Sequence, residues 1–294
     1  MKKIALLFGA ISITLFGCDV IEFPVIDFGA SYDAGTYGPP PTFDLASDDM
    51  IQQTVIIEDF TGHDCGNCPR AAIVAEDLKA ANPEQVFVLA IHAGNLAAPT
   101  DEYPEDFTNE AGEVWFDQLD LPFNPVGRVN RFPDWNTSVF DPEWPELVDE
   151  QLDMAPIAVL QLQAEYHSNN NELNVHAFTE FVADYEGNTN VVLIVTESGL
   201  VGTQLNYLLE DDPETVENEQ KVEDYEFEHV MRDVVNTTFG LTAINAPKSG
   251  DTNTQSYTYS WNSEWAIDHS SVIAICFDAD TGQVLGVTEK KLDA

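Results

Sequence analysis

Cys65 and Cys68 stand two residues apart in the stretch TVIIEDFTGHDCGNCPRAAIVAEDLKAA, residues 54–81. Sulfurs at that spacing can form and break a disulfide, and the attacking species in such exchange is the thiolate. The sequence around the pair reads as a buried strand, a turn and an amphipathic helix. A cysteine placed where the helix begins meets unpaired backbone N–H groups and the positive end of the dipole, both of which favour the anion. Two thiolates with His63 and His92 would also suit copper or zinc. No fourth cysteine or closely spaced second histidine supports that reading, so neither a metal nor a cofactor is expected. Asp278, Asp280 and Gly282 have the composition of a calcium loop, but the glycine is misplaced and no glutamate closes it, so a hairpin turn is expected. The other acids form no nucleophile–base pair that spacing alone can defend, which leaves hydrolase chemistry without support.

The elements that must position the pair follow an α/β pattern. After the cysteines, Ala71, Val74, Leu78 and Ala81 share one helical face, and Asn82-Pro83 ends the helix. Val86 to Ile91 is a continuous apolar run of the kind covered on both faces. Ala111, Trp115 and Leu119 align at helical spacing, LPFNPVGRVNR (121–131) reads as a turn entering a short strand, and Asp141-Pro142 reads as a cap opening a helix with Trp144, Leu147, Val148 and Leu152 inward. A further short strand is expected near Phe132 to Phe140. Beyond Pro156 the period changes to two, with Ala158, Leu160, Leu162, Ala164 and Tyr166 on one side. Further strands are expected at 173–181, 191–196, 256–261, 272–277 and 283–289. Glu210 to Glu228, with ten acids and one lysine, reads as a solvated insertion, and Phe227 to Val235 as a short helix or ordered loop.

Composition bounds the partners. Among 294 residues, 52 acidic against 11 basic side chains give a formal charge of −41, which argues against nucleic acid and anionic membrane surfaces. Self-repulsion of that size is tolerated where salt screens it, so a saline exterior is expected, the general solubility of an acidic surface being the alternative. Lys2 and Lys3 precede an apolar run from Ile4 to Phe16, too short to span a bilayer and suited to an export signal. It ends in Leu15-Phe16-Gly17-Cys18, which resembles a bacterial lipobox. That resemblance implies that Cys18 is acylated and attaches the chain to a membrane, an ordinary cleaved signal being the alternative. Cys276, in the apolar run SVIAICF, reads as a buried small hydrophobe. Export would place Cys65 and Cys68 in an oxidising compartment, where a disulfide persists.

An acid, an aromatic residue, four further residues and then the first cysteine is the thioredoxin pattern, and Asp59, Phe60, the four residues from Thr61 to Asp64 and Cys65 resemble it. The resemblance implies that Asp59 is a buried acid moving the proton of Cys68, and that Pro125, in FNPVG, is a cis proline shaping a substrate groove. Val126 would then offer backbone groups to an extended peptide, with Pro122 as the alternative proline. Glu58 is expected to be the exposed neighbour of Asp59, because adjacent strand residues face opposite ways. Two departures stand out. Asp64 replaces the usual tryptophan and opposes a neighbouring thiolate, which His63 offsets if protonated, His63 as a solvated loop residue being the alternative. Gly66-Asn67 offers no cation between the sulfurs. The disulfide is therefore expected to be stable, either reducing in character or merely structural.

The strings EDFTGHDCGNCPRA and NPVGRVNR together resemble the twenty-eight-kilodalton outer-membrane protein family of Gram-negative bacteria, from about residue 50 onward. The resemblance implies a lipoprotein of the outer membrane with an α/β thioredoxin-like domain followed by an all-β immunoglobulin-like sandwich. It does not fix a reaction. The expected organisation is a signal peptide over 1–17, a flexible tether over 18–47, part of which could lie on the domain surface, a thioredoxin-like domain over 48–156 and a β-sandwich over 157–294. Thiol–disulfide exchange with a protein substrate is the first functional expectation. A surface binding or assembly module, in which the disulfide only staples the helix start, is the second.

Overall fold

The computed structural model describes residues 31–209 and 220–293. In chain order its first elements are α1 (Ala34–Tyr37), β1 (Val55–Thr61), α2 (Cys68–Ala81), β2 (Val86–His92), α3 (Glu110–Asp117), β3 (Val126–Val129) and α4 (Trp144–Leu152). Apart from a 3-10 turn (Ile267–His269), the elements that follow are strands: β4 (Ala158–His167), β5 (Glu172–Phe181), β6 (Asn188–Glu197), β7 (Leu200–Leu205), β8 (Lys221–Phe227), β9 (Val230–Val234), β10 (Leu241–Asn245), β11 (Thr252–Ser260), β12 (Ser270–Asp278) and β13 (Val284–Lys291). The protein is mostly β-sheet.

One long sheet runs in the order β13-β12-β6-β9-β2-β1-β3, with β10 also paired to β6. β1 is parallel to β2 and antiparallel to β3. The seam between the two halves of this sheet is narrow: β9 meets β2 at Ala90 and Val230, where the Ala90 N–H donates to the His229 carbonyl at 2.9 Å. Alternation along each strand explains the apolar runs. Val192 and Ile194 of β6 with Ile273 and Ile275 of β12 face a core shared with Ile56, Phe60, Leu89, Ile91 and Trp115. Val191, Leu193 and Val195 with Val272, Ala274 and Cys276 face the other way, onto a second sheet of order β11-β5-β4. On β1, Val55 and Ile57 face a third core made by Ala71 and Ala75 of α2 and by Trp144 and Val148 of α4. A sheet covered on both faces has no position for solvated side chains, hence strands with little polar alternation. The first core joins residues on both sides of the expected boundary at 156/157.

The helices follow their local chemistry. α2 carries Pro69 in its first turn and stops at Asn82. Asn109 caps α3, its Oδ1 accepting the Gly112 N–H at 2.8 Å. Asp141, expected as a cap, instead sits in a short 3-10 turn (Asp141–Glu143) before α4, and its carboxylate accepts two bonds from Arg70. No strand forms over 132–140; the segment touches the sheet through one bridge between Gly127 and Val139. Within the expected acidic insertion, Lys221–Phe227 is β8, paired to β7 as a two-stranded hairpin, while 210–219 lie outside the described residues. Val230–Val234, read as a helix or loop, is the strand at the sheet seam. Residues 31–47, expected within the tether, lie along the second sheet. There Tyr37 stacks on His167 and Phe43 on Phe178, and Ala46 N–H reaches Glu180 at 2.7 Å.

Candidate functional site

Cys65 and Cys68 are joined in a disulfide, with their Cα atoms 5.4 Å apart. The helix begins at Cys68, so Cys65 lies in the turn just before it, its carbonyl accepting the Cys68 N–H at 3.1 Å. Of the two, Cys68 therefore holds the helix's first position. Both are buried, at 3 % and 1 % exposure.

Asp59, near the end of β1, lines a cavity of about 310 Å³ together with Cys68, Pro69, His92, Gln204 and Phe227. It is 2 % exposed and its Oδ1 has no hydrogen-bond partner. Burial, reinforced by the nearby negative charge of Asp141, pushes its carboxyl up to about 8. Asp141 is held in place by Arg70 of α2 through paired bonds of 2.8 Å. His92, at the end of β2, lies edge-on to Phe107 and Phe227, and neither ring nitrogen has a partner. Burial, with smaller effects from His63 and Arg232, lowers it to about 3, so it is a neutral imidazole at any ordinary pH.

Glu58 does not face solvent. Its exposure is 0 %, because the face of β1 opposite Asp59 is covered as completely as the face carrying Asp59. Arg128 Nε donates to it at 2.8 Å and Arg131 Nη2 at 2.6 Å. Burial alone would raise its pKa, but the two guanidinium groups outweigh this and hold it below the ordinary carboxylate range. The Arg131 guanidinium also lies 4.4 Å from the Trp135 ring centroid and 5.1 Å from that of Phe277, which ties β12 to the same cluster. The string NPVGRVNR thus reads as a structural unit. A Cβ at Gly127 would lie 2.5 Å from Trp144, Arg128 and Arg131 neutralise Glu58, and Asn130 Oδ1 accepts the Ile56 N–H at 2.9 Å.

The Asn124–Pro125 bond is cis, as is Phe132–Pro133, while Pro122 is exposed. Val126, the first residue of β3, is buried opposite Phe60. Asn124, overlooked in the sequence, fixes this loop beside the cysteine turn: its Nδ2 donates to the carbonyls of Thr61 at 2.8 Å and Ala93 at 3.2 Å. Also unforeseen are Gln204 and Tyr207. Gln204 Nε2 donates to the Cys65 carbonyl at 3.0 Å, and the Tyr207 N–H to the Gly66 carbonyl at 2.8 Å. An asparagine before a proline could have flagged the first, but nothing local ties 204 and 207 to 65.

His63, read as either a charged partner of the thiolate or a solvated loop residue, is fully buried, stacked on Tyr103, with Nε2 3.1 Å from the Ala98 carbonyl. Cys276 is buried in β12 and burial pushes its thiol upward. Asp278 closes a hairpin turn, its Oδ1 accepting the N–H groups of Asp280 and Thr281. Among the described residues no group of three or more His, Cys, Asp or Glu could hold a metal, and no helix is long and apolar enough to cross a membrane. Cys18 and residues 1–17, where an export signal is expected, lie outside the described residues.

Solved structures resemble this one at low identity. HBP35 of Porphyromonas gingivalis aligns over 83 % of this chain and 76 % of its own, at 16 % identity and a TM-score of 0.60, which shows a shared fold. An Agrobacterium tumefaciens protein from a structural genomics consortium aligns over 83 % of this chain and 98 % of its own, at 13 % identity and a TM-score of 0.48. A domain of the outer membrane lipoprotein Omp28 from P. gingivalis covers 47 % of this chain and 89 % of its own, at 14 % identity and a TM-score of 0.31. No curated protein matches the chain. The family model for outer membrane protein Omp28 matches residues 115–294, more than half of the sequence and inclusive of the β3 motif. On that match the chain belongs to the Omp28 family, and its place is the outer membrane of the cell envelope.

Proposed function

We propose that this protein is a thiol–disulfide exchange protein attached to the outer membrane through an acylated Cys18. The first half is then a thioredoxin-like unit whose fourth strand has shrunk to the Gly127–Val139 bridge, and the second an immunoglobulin-like sandwich fused to its edge. The supporting observation is the buried carboxyl of Asp59, with one oxygen unpartnered, in the same cavity as Cys68. A stability-driven sequence has no reason to keep an acid there; a proton acceptor for the second sulfur explains it.

In the reduced state the Cys65 thiolate attacks a substrate disulfide, forming a mixed disulfide and releasing one substrate thiolate. Asp59, in its ionised form, takes the proton of Cys68. The Cys68 thiolate then attacks Cys65 Sγ, so the mixed bond breaks, the Cys65–Cys68 bond forms and the second substrate thiolate leaves. The substrate gains two electrons, and a dithiol reductant returns the pair to its starting state. Pro125 and Val126 shape the groove beside it.

Turnover of a scrambled-disulfide protein by the full chain tests this reading, with Cys65→Ser as control. Loss of turnover in the variant supports it; equal activity of both proteins excludes it. A second reading, a binding or assembly module with a structural disulfide, draws on the near-complete burial of both sulfurs. It requires a Cys65 that stays inert to alkylation after mild reduction.

A further inference from the structure

The near-complete burial of Cys65 has a specific source. β7 belongs to the second half of the chain, yet its end runs along the cysteine turn: the Leu205 N–H donates to the His63 carbonyl at 2.9 Å and the Tyr207 N–H to the Gly66 carbonyl at 2.8 Å. Between them Gln204 Nε2 binds the carbonyls of Cys65 at 3.0 Å and Gly62 at 3.4 Å. The Tyr207 ring lies over Gly66, where a Cβ would come within 2.5 Å of it, so the first of the two residues between the cysteines is bare where the aromatic ring rests. This is how an extended peptide is held: alternate backbone bonds set the register and one side chain fills a matching gap. Gln204 and Leu205 are also paired to β8, and the Asn206 N–H donates to the Gln220 carbonyl at 2.8 Å, so a competitor must lift the end of this hairpin from the turn, starting at Tyr207 and Leu208, which are about half exposed.

We propose that residues 203–208 occupy the substrate site from within the chain, and that the partner displacing them is an extended peptide with an aromatic side chain to take the place of Tyr207 over Gly66. The substrate half of this inference rests on the exchange reading above. The cover keeps the pair unreactive until such a segment competes it away, which suits a disulfide that must persist outside the cell.

The test follows the rate at which dithiothreitol reduces Cys65–Cys68 in the full chain, scored by maleimide labelling. Tyr207→Ser and Gly66→Ala should each raise the rate at least tenfold, and the double variant should add little to either, since both break one contact. Val201→Ser, on the same hairpin but away from the turn, should match the parent. Unchanged rates, or fully additive ones, overturn the cover. The peptide Thr-Gln-Leu-Asn-Tyr-Leu, added to the Tyr207→Ser variant, should slow reduction again, whereas the same peptide with serine for tyrosine should not; equal effects overturn the aromatic preference. If the variants open the disulfide yet turn over no protein substrate, the exchange reading fails and the substrate assignment with it. Parent turnover as fast as that of Tyr207→Ser overturns the cover alone.

Discussion

Asp59 and Cys68 line one cavity, the carboxyl at the end of β1 and the sulfur at the first position of α2. The acid belongs to a strand paired on both sides and the cysteine to a helix packed against that strand, so neither can leave the other without unfolding the sheet. Such a pair is suited to moving a proton in place. Asp59→Asn, which keeps the shape and removes the base, should slow exchange by about 10²-fold at neutral pH, the usual worth of a positioned acid–base group. Single-turnover kinetics of the reduced chain with a peptide disulfide would measure it.

The same burial makes Asp59 a cost to the fold. Its carboxyl ionises near 3.8 when unfolded and near 8 in the fold, so the unfolded chain sheds a proton that the folded chain keeps. Stability is full below the lower value and falls as pH rises toward the upper one, by at most about 1.4 kcal/mol per pH unit. Asp59→Asn should therefore be more stable than the parent, with a margin that widens from pH 4 to pH 8. Urea melts across that range would show it.

His92 has the opposite sign. Its folded value of about 3 lies below the ordinary 6.5, so the stability it permits is present above 6.5 and lost as pH falls toward 3. His92→Leu should remove the loss of stability as pH falls from 6.5 toward 3, whereas Asp59→Asn removes the loss as pH rises from about 4 to 8. Between pH 4 and 6.5 the two effects oppose each other in the parent, and only the pair of variants separates them.

Glu58→Ala should be among the most damaging single changes. It leaves Arg128 and Arg131 buried without their shared carboxylate, a loss of about 3–5 kcal/mol. Because Arg131 also meets Trp135 and Phe277, the damage should reach β12, which hydrogen exchange would register as faster exchange at Ile275 and Phe277.

Cys65→Ser, by contrast, should cost little stability. The bond closes a very short loop, for which the chain-entropy account gives only about 2 kcal/mol. A shift in the denaturation midpoint well beyond that would favour a disulfide kept as a staple.

What the sequence made legible was local. The strand, turn and helix around Cys65 and Cys68 announce themselves because each signal lies within a few residues of the next. The alternation of Ala158, Leu160 and Leu162 likewise marks β4, whose other face is partly open. Glu58 was misjudged because period-two reasoning assigns one face to water, and β1 has no such face: its partners come from residues 70 and 73 positions later. Gln204 and Tyr207 were invisible for the same reason, 139 or more residues from the turn they cover. β9 escaped because a five-residue strand joined to β2 at one residue pair needs no strong pattern of its own. Asp141 looked like a helix cap from its Pro142 neighbour, but a guanidinium outcompetes backbone N–H groups for a buried carboxylate.

The central claim is that Cys65 attacks and Cys68 resolves. Mixing each single-cysteine variant, reduced, with a protein disulfide and resolving the products by mass tests it most directly. The account predicts that Cys68→Ser accumulates a mixed disulfide on Cys65, while Cys65→Ser accumulates almost none. Equal trapping by both variants, or none by either, would contradict it.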